Sequence, residues 1–380
     1  MDEDDLPQGE TITLDIEDTG VTDTEDGGAL VTLDDEDEGR QRSSDFYSNL
    51  AEEMPESELD ELATRFLDLI AQDKQDRKER DRQYEMGLRR TGLGNDAPGG
   101  AQFDGASRVV HPMLVSATVD FAARLMKELF PPGGPVKDLI PGDLTPEKVR
   151  KARRKAAMMN WQLTVQSTEF RAELEQTLTQ VPMGGAQYLK LGWDEPRNRP
   201  TGLFVAIDDM LLPYAATSFY SAQRRTHVQY LTTLDFRQRI RSGDFRDVDL
   251  APSSLTPDQT SAARANDKIE GKSNSNTYKD ALHRLYESHI DWYFKDDPLV
   301  TDGLPHPYVI TVDSVSHKVL SIRRDWREGD KAMERQVSLV QHKYMPGFGP
   351  YGIGLINLLG GLTESATSIL RQLIDAGLPC

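Results

Sequence analysis

The spacing of apolar residues changes at Gly185, and that change limits the fold more than any other feature of the chain. Before it, apolar residues recur every three or four positions, the period of a helix lying on a core. Leu59, Leu62, Phe66, Leu69 and Ile70 keep that spacing, and after a charged gap Tyr84 and Leu88 resume it. Leu114, Thr118, Phe121 and Leu125 repeat the pattern. After Gly185 come short runs rich in β-branched and aromatic residues: "AQYLKLGWD", "LFVAID", "THVQYLTT", "ALHRLYESHIDWYF", "YVITVD" and "KVLSIRRDW". Bounded by Pro, Gly and Asp, these read as strands. Helices first, then a mostly antiparallel sheet, then a final helix define an α+β chain.

Local signals set the boundaries. Ser57 with Asp60 suggests a capping box opening a helix over about 57–90. Its centre, "QDKQDRKERDRQ", is nearly all charge, which predicts exposure on both sides or a second chain against it. A second helix starts at His111-Pro112 and ends before "PPGGP" (131–135). A third takes Thr145 as N-cap and Pro146 in its first turn. Ser167 is expected to cap a fourth that ends before Pro182 and "MGG". A short helix at "LDFRQRIRS" stops at Gly243, and the polar stretch 251–280 predicts a long loop with at most one turn of helix. The expected parts are therefore an arm (1–45), a helical part (46–185), a mostly β region (186–345), and a glycine-rich turn leading into a helix (346–380).

Composition matters chiefly for the arm. The 380 residues carry a net charge of −19, and residues 1–40 hold sixteen acids against the single base Arg40. That is −15 in the arm and −4 in everything else. Strong self-repulsion with few apolar residues predicts an unstructured arm. The rest is long enough to bury a core. The start, "MDEDD", lacks the basic and apolar regions of a signal peptide, and no apolar run approaches the roughly 20 residues of a membrane span. The expected compartment is cytosolic, with no membrane partner. The one cysteine, Cys380, leaves no internal disulfide and no Cys-based zinc site.

"PGFGPYGIGLINLLGGL" contains G-x-G-x-x-G at Gly347, Gly349 and Gly352, the glycine spacing of a dinucleotide turn. A strand, "QVSLVQHKY", precedes it and a helix with Leu355, Leu358, Leu359, Leu362, Ala366, Ile369 and Leu373 on one side follows. Such a site also needs a second parallel strand and an acid about 20 positions on. Pro350 interrupts the motif, and the helical pattern still runs at Asp375. The expectation is a turn that feeds a strand into a long helix, with no nucleotide cofactor.

His283, Glu287, His289 and Asp291 alternate on one strand and share a face, with Leu285 among them. They form a conceivable metal cluster, and a metal-dependent enzyme built on them is the alternative reading. The competing expectation is a solvated sheet face whose reverse buries Tyr286, Ile290 and Trp292. There is no G-x-S-x-G, no H-E-x-x-H and no G-x-x-x-x-G-K-S/T loop. "KVRKARRK" (148–155) is the densest basic cluster, suited to phosphates, to an acidic segment, or simply to water.

Two stretches carry a resemblance. "GASRVVHPMLVSATVDFAARLMKELFPPGGPVK" (105–137) and "YMPGFGPYGIGLINLLGGLTESATSILRQLIDAG" (344–377), with "YEMGLRRTGLG" (84–94), resemble segments of the portal, or head-tail connector, proteins of short-tailed bacteriophages. The resemblance implies the portal fold, with residues 46–345 as the wing and the last helix near the channel-lining stem. It implies a homo-oligomeric ring, typically of twelve subunits, at a capsid vertex of the virion, assembled in the host cytoplasm. Its partners would be double-stranded viral DNA held non-specifically, the terminase large subunit, the major capsid or scaffolding protein, and tail adaptors. No catalytic residue, metal or cofactor is implied. Leu358, Leu362, Ile369 and Leu373 would pack the stem-type helix, against the wing or a neighbour. Portal chains of this kind continue past "LIDAG" into a clip, second stem helix, tunnel loop and crown. The expectation is therefore a fragment, or a polypeptide completed elsewhere, with Cys380 a conceivable splicing nucleophile.

Overall fold

The computed structural model describes residues 21–23, 29–31, 46–93, 106–140, 142–194, 197–248, 250, 261–271, 282–295, 297–300, 302–346 and 349–377. The chain divides into two units, Met1–Ser48 and Asn49–Cys380. In the first, β1 (Val21–Asp23) pairs antiparallel with β2 (Ala29–Val31), Val21 opposite Val31. These few β-branched and apolar residues depart from the expected unstructured arm; most of that segment lies outside the described residues.

The second unit is mixed helix and antiparallel sheet. Helix α1 (Glu56–Arg89) starts after Pro55 with no side-chain cap, so the Ser57 capping box is absent. Pro55 sets an extended backbone immediately before the first turn, and Ser57 already lies inside the helix. Then follow α2 (Met113–Leu129), α3 (Pro146–Trp161) and α4 (Phe170–Gly184). Thr145 caps α3 as expected, its Oγ1 accepting from the Lys148 amide at 3.3 Å. Ser167 does not cap α4; its hydroxyl donates to the Pro200 carbonyl at 2.6 Å and ties the helix start to the next sheet. Nor does α4 stop before Pro182. A proline removes one donor, and here the last turn still closes when the Gly185 amide donates to the Val181 carbonyl at 2.9 Å. Gly185, at φ +85°, then ends the helix.

Two antiparallel sheets follow. The first orders β10 (Leu339–Lys343), β3 (Ala186–Asp194) and β4 (Arg199–Val205). The second orders β5 (Met210–Leu211), β6 (Arg224–Thr232), β7 (Leu282–Trp292), β8 (His306–Asp313) and β9 (Val319–Arg324). A 3-10 turn, Ile207–Asp209, carries the chain from one sheet to the other. Helix α5 (Thr233–Arg241) ends at Gly243, as its sequence predicts. The polar stretch 251–280 holds more than one turn of helix: α6 (Ser261–Ile269) packs on α1 and buries Ala265. Ala and Ile at that spacing supply the helix propensity and the small apolar face the stretch otherwise lacks. The main core gathers Tyr84 and Leu88 of α1, Tyr188 of β3, Met210 of β5, Phe219 and Ile356. Among the described residues no helix is long and apolar enough to cross a membrane.

The charged centre of α1 is exposed on one side only, not on both. Asp73, Arg77 and Asp81 are buried along with Phe66, Ile70, Tyr84 and Leu88, one continuous stripe at three- and four-residue steps. Arg224 of β6 grips Asp73 with Nε at 2.6 Å and Nη2 at 2.5 Å. Arg77, only 3% exposed, donates to the carbonyls of Ile207, Asp208 and Met210 at 2.7–3.0 Å and holds Asp81 at 2.9 Å. The carbonyls of Ile207 and Asp208 in the turn between the sheets, and of Met210 at the start of β5, all accept from this one planar, five-donor guanidinium. Burial pushes the Asp73 carboxyl above its ordinary range despite the Arg224 fork.

Candidate functional site

Strand β10 feeds the last helix, α7 (Leu355–Gly377), through the glycine-rich turn, as expected. Gly347 lies outside the described residues. Gly349 has φ +106° and open space around it, so its role is conformational alone. Gly352 has φ +70°, and a Cβ there would meet the Gly185 carbonyl oxygen at 2.6 Å. Gly354, outside the fingerprint, is tighter still: a Cβ would lie 2.2 Å from the Met183 oxygen. The glycines thus let two backbones touch, with the Tyr344 amide donating to the Gly185 carbonyl at 2.9 Å. The preceding strand β10 pairs antiparallel with β3, unlike the parallel unit of a dinucleotide site.

Helix α7 enters the core through Leu355 and Ile356 and, beyond that first turn, docks with its small and polar face inward. Gly360, Thr363 and Thr367 are buried, while Leu358, Leu362, Ile369 and Leu373 are 48%, 57%, 58% and 67% exposed. Arg371 Nε donates to the Val109 carbonyl at 2.8 Å, the His111 amide to Thr367 Oγ1 at 3.1 Å, and the Ser107 amide to Asp375 Oδ1 at 2.7 Å. The helix is therefore fastened to the segment leading into α2. The two stretches singled out in the sequence, 105–137 and 344–377, lie against each other through these bonds. No protein-family model matches the chain, and no curated protein matches it.

The four strand residues weighed as metal ligands do not converge: only Glu287 and His289 stay in contact. Among the described residues no group of three or more His, Cys, Asp or Glu side chains is disposed to hold a metal ion. The His283 ring lies 4.9 Å from that of Phe236 on α5, and Asp291 is exposed and paired with Arg335 at 2.5 Å. Glu287 accepts from Lys190 of β3 at 2.5 Å and from Gln229 of β6 at 2.7 Å. His289 Nδ1 lies 2.8 Å from Asp325, and its Nε2 lies 3.7 Å from Glu287. The solvated face expected here is instead buried, because Lys190 reaches over from the other sheet and α5 covers His283. Trp292 on the reverse face is only half-buried, whereas Tyr286 and Ile290 are buried as expected.

Burial disfavours the His289 imidazolium, but Asp325 and Glu287 outweigh it and raise its pKa. Burial alone would raise Glu287; Lys190, His289 and His227 hold it well below its ordinary value. Burial, with the Lys190 charge, lowers His227 to about 3. The cluster is a polar bolt between the two sheets.

The basic run on α3 is fully outward. Lys148, Arg150, Lys151, Arg153, Arg154 and Lys155 are exposed, and none has an ion-pair partner among the described residues. Sequence reasoning missed Arg77, Asp73 and Gly354. The first two continue the apolar spacing of α1, the one signal that could have placed them inside.

Proposed function

We propose that this chain is a portal subunit, or the wing-bearing part of one, of the short-tailed bacteriophage type. It builds a ring, typically of twelve copies, through which double-stranded DNA enters and leaves the capsid. Terminase, the capsid or scaffolding protein and tail adaptors dock on that ring. The observation that carries the reading is the outward stripe of helix α7: beyond a first turn that buries Leu355 and Ile356, four large aliphatic side chains face outward while Gly360, Thr363 and Thr367 face in. Burying such a side chain contributes about 1.5–3 kcal/mol, so a stripe of four is a substantial incentive to associate. In a closed ring each contact is head-to-tail, and the stripe meets a different face of the next subunit. Support also comes from the bonded pairing of the two stretches that resemble portal segments, and from the near balance of charge outside the arm. A conduit must let a polyanion slide, and a surface dense in unopposed cations would grip it.

Negative-stain microscopy and light scattering of the purified natural gene product test this reading. Closed rings are expected, and they should fall apart in the Leu362→Asn, Leu373→Asn double variant. A monomer at every concentration overturns the proposal.

A further inference from the structure

Between α1 and the five-stranded sheet lies a cleft of about 660 Å³. Its apolar wall is formed by Leu67 and Ile70 of α1, Leu211 of β5 and Val228 of β6. Asp208 and Asp209, from the turn between the sheets, also line it. Asp208 is only 8% exposed. Asn266 of α6 reaches its Oδ2 at 3.3 Å, while its Oδ1 is buried without a hydrogen-bond partner among the described residues. No hydrogen bond or ion pair reaches the Asp209 side chain among the described residues.

Most cations around the pair are committed elsewhere. Arg77 holds three carbonyls and Asp81, Lys74 donates to the Tyr286 hydroxyl at 2.7 Å, and Arg284 to Ser314 Oγ at 3.0 Å. Two adjacent carboxylates, one with a buried oxygen left open, beside an apolar wall, match a guest with a cationic head on an apolar stem. We propose that this cleft binds an alkylammonium or alkylguanidinium group, supplied by a free di- or polyamine or by a lysine or arginine side chain of a partner. The head sits between Asp208 Oδ1 and Asp209, and the stem lies along Leu67, Ile70, Leu211 and Val228.

Burial raises both acids, Asp208 to about 6 and Asp209 to about 7, the latter also through the charge of Asp208. The charged groups around them are Lys74, Arg77, Lys78, Arg80 and Asp81 of α1, Arg284 of β7 and His317 of the β8–β9 turn. A bound cation favours the ionised acids, so uptake expels protons and affinity rises with pH through that range.

Calorimetric titration of the full chain with cadaverine, agmatine, N-acetyl-lysine amide and N-acetyl-arginine amide tests the site. One-to-one binding is expected, several-fold tighter at pH 8 than at pH 6. Asp209→Asn should weaken it by about tenfold, the loss of one charge-assisted contact. This variant breaks no bond of the fold and should keep its melting temperature, while Asp208→Asn tests the deeper oxygen. Binding of the free amines alone assigns a polyamine, and binding of the capped amino acids alone assigns a partner side chain. No heat from any of the four at millimolar concentration overturns the proposal, as does binding that both variants leave unchanged.

Discussion

Helices α1 and α7 place their side chains in opposite senses. In the middle of α1 it is Asp73, Arg77 and Asp81 that face inward, and on α7 it is Leu358, Leu362, Ile369 and Leu373 that face outward. The difference lies in what each helix meets. Under α1 the chain crosses between sheets and turns the carbonyls of Ile207, Asp208 and Met210 toward Arg77, so the buried groups are a donor and its counter-ions. Beyond the first turn of α7, where Leu355 and Ile356 enter the core, the backbone of another segment lies beneath it, and the buried groups are small. At both ends of α1 and in the first turn of α7 apolar residues go inside as usual; in the middle of α1 and along the rest of α7 the neighbouring backbone decides.

Arg77→Met is the strongest way to break this comparison. It strips three carbonyls and Asp81 of their partner, and removing one member of a buried charged network costs about 3–5 kcal/mol. Urea unfolding checks it, and a loss under about 1 kcal/mol would mean that the α1 stripe is dispensable. Gly354→Ala comes next. Its methyl collides with the Met183 oxygen, and the expected cost is about 1–3 kcal/mol. Gly361→Ala, inside α7 with open space around it, should instead stabilise by up to about 1 kcal/mol.

A pH series gives a smaller change, with signs set by the polar bolt on β7. The raised pKa of His289 means that its contribution is complete below about pH 6.5 and is lost as pH rises through the folded value. His227, held near 3 in the fold, acts oppositely: the unfolded chain takes up a proton first, so stability falls as pH drops below about 6.5. Glu287 adds to that acid limb, its contribution being present above its ordinary range and lost as pH falls through its lowered value. His289→Gln should flatten the alkaline limb of the urea midpoint and leave the acid limb in place; an unchanged alkaline slope would show that another group governs it. The smallest effect on folding belongs to the outward stripe. Leu362→Asn and Leu373→Asn should each shift monomer stability by no more than about 0.5 kcal/mol, measured by the same unfolding, while assembly size falls.

Much of the architecture was legible in the residues. The period change at Gly185 marks the first strand, and the spacing of α1 and α7 places both helices to within a residue or two. The inward charge of α1 was harder, because the carbonyls that need Arg77 lie 130 to 133 residues away and no local pattern announces them. The alternation on β7 sorts its side chains onto two faces, but that the polar face is buried as well depends on Lys190 and Phe236, from a different sheet and a helix. The glycine fingerprint drew attention to Gly352 and away from Gly354, since close approach leaves no periodic trace. The outward stripe on α7 was visible as a stripe. Only the structure shows that the described residues leave it exposed.

The distance between Arg77 and its carbonyls also bears on how the chain is made. At about 5–20 residues per second during synthesis, α1 emerges on the order of ten seconds before the turn at Ile207–Asp209 exists. A naked leucine ridge waiting that long would be prone to clump with other nascent chains. The aspartates and arginine in the middle of the ridge stay hydrated until the late-arriving backbone displaces their water, which shortens the apolar stretch left waiting.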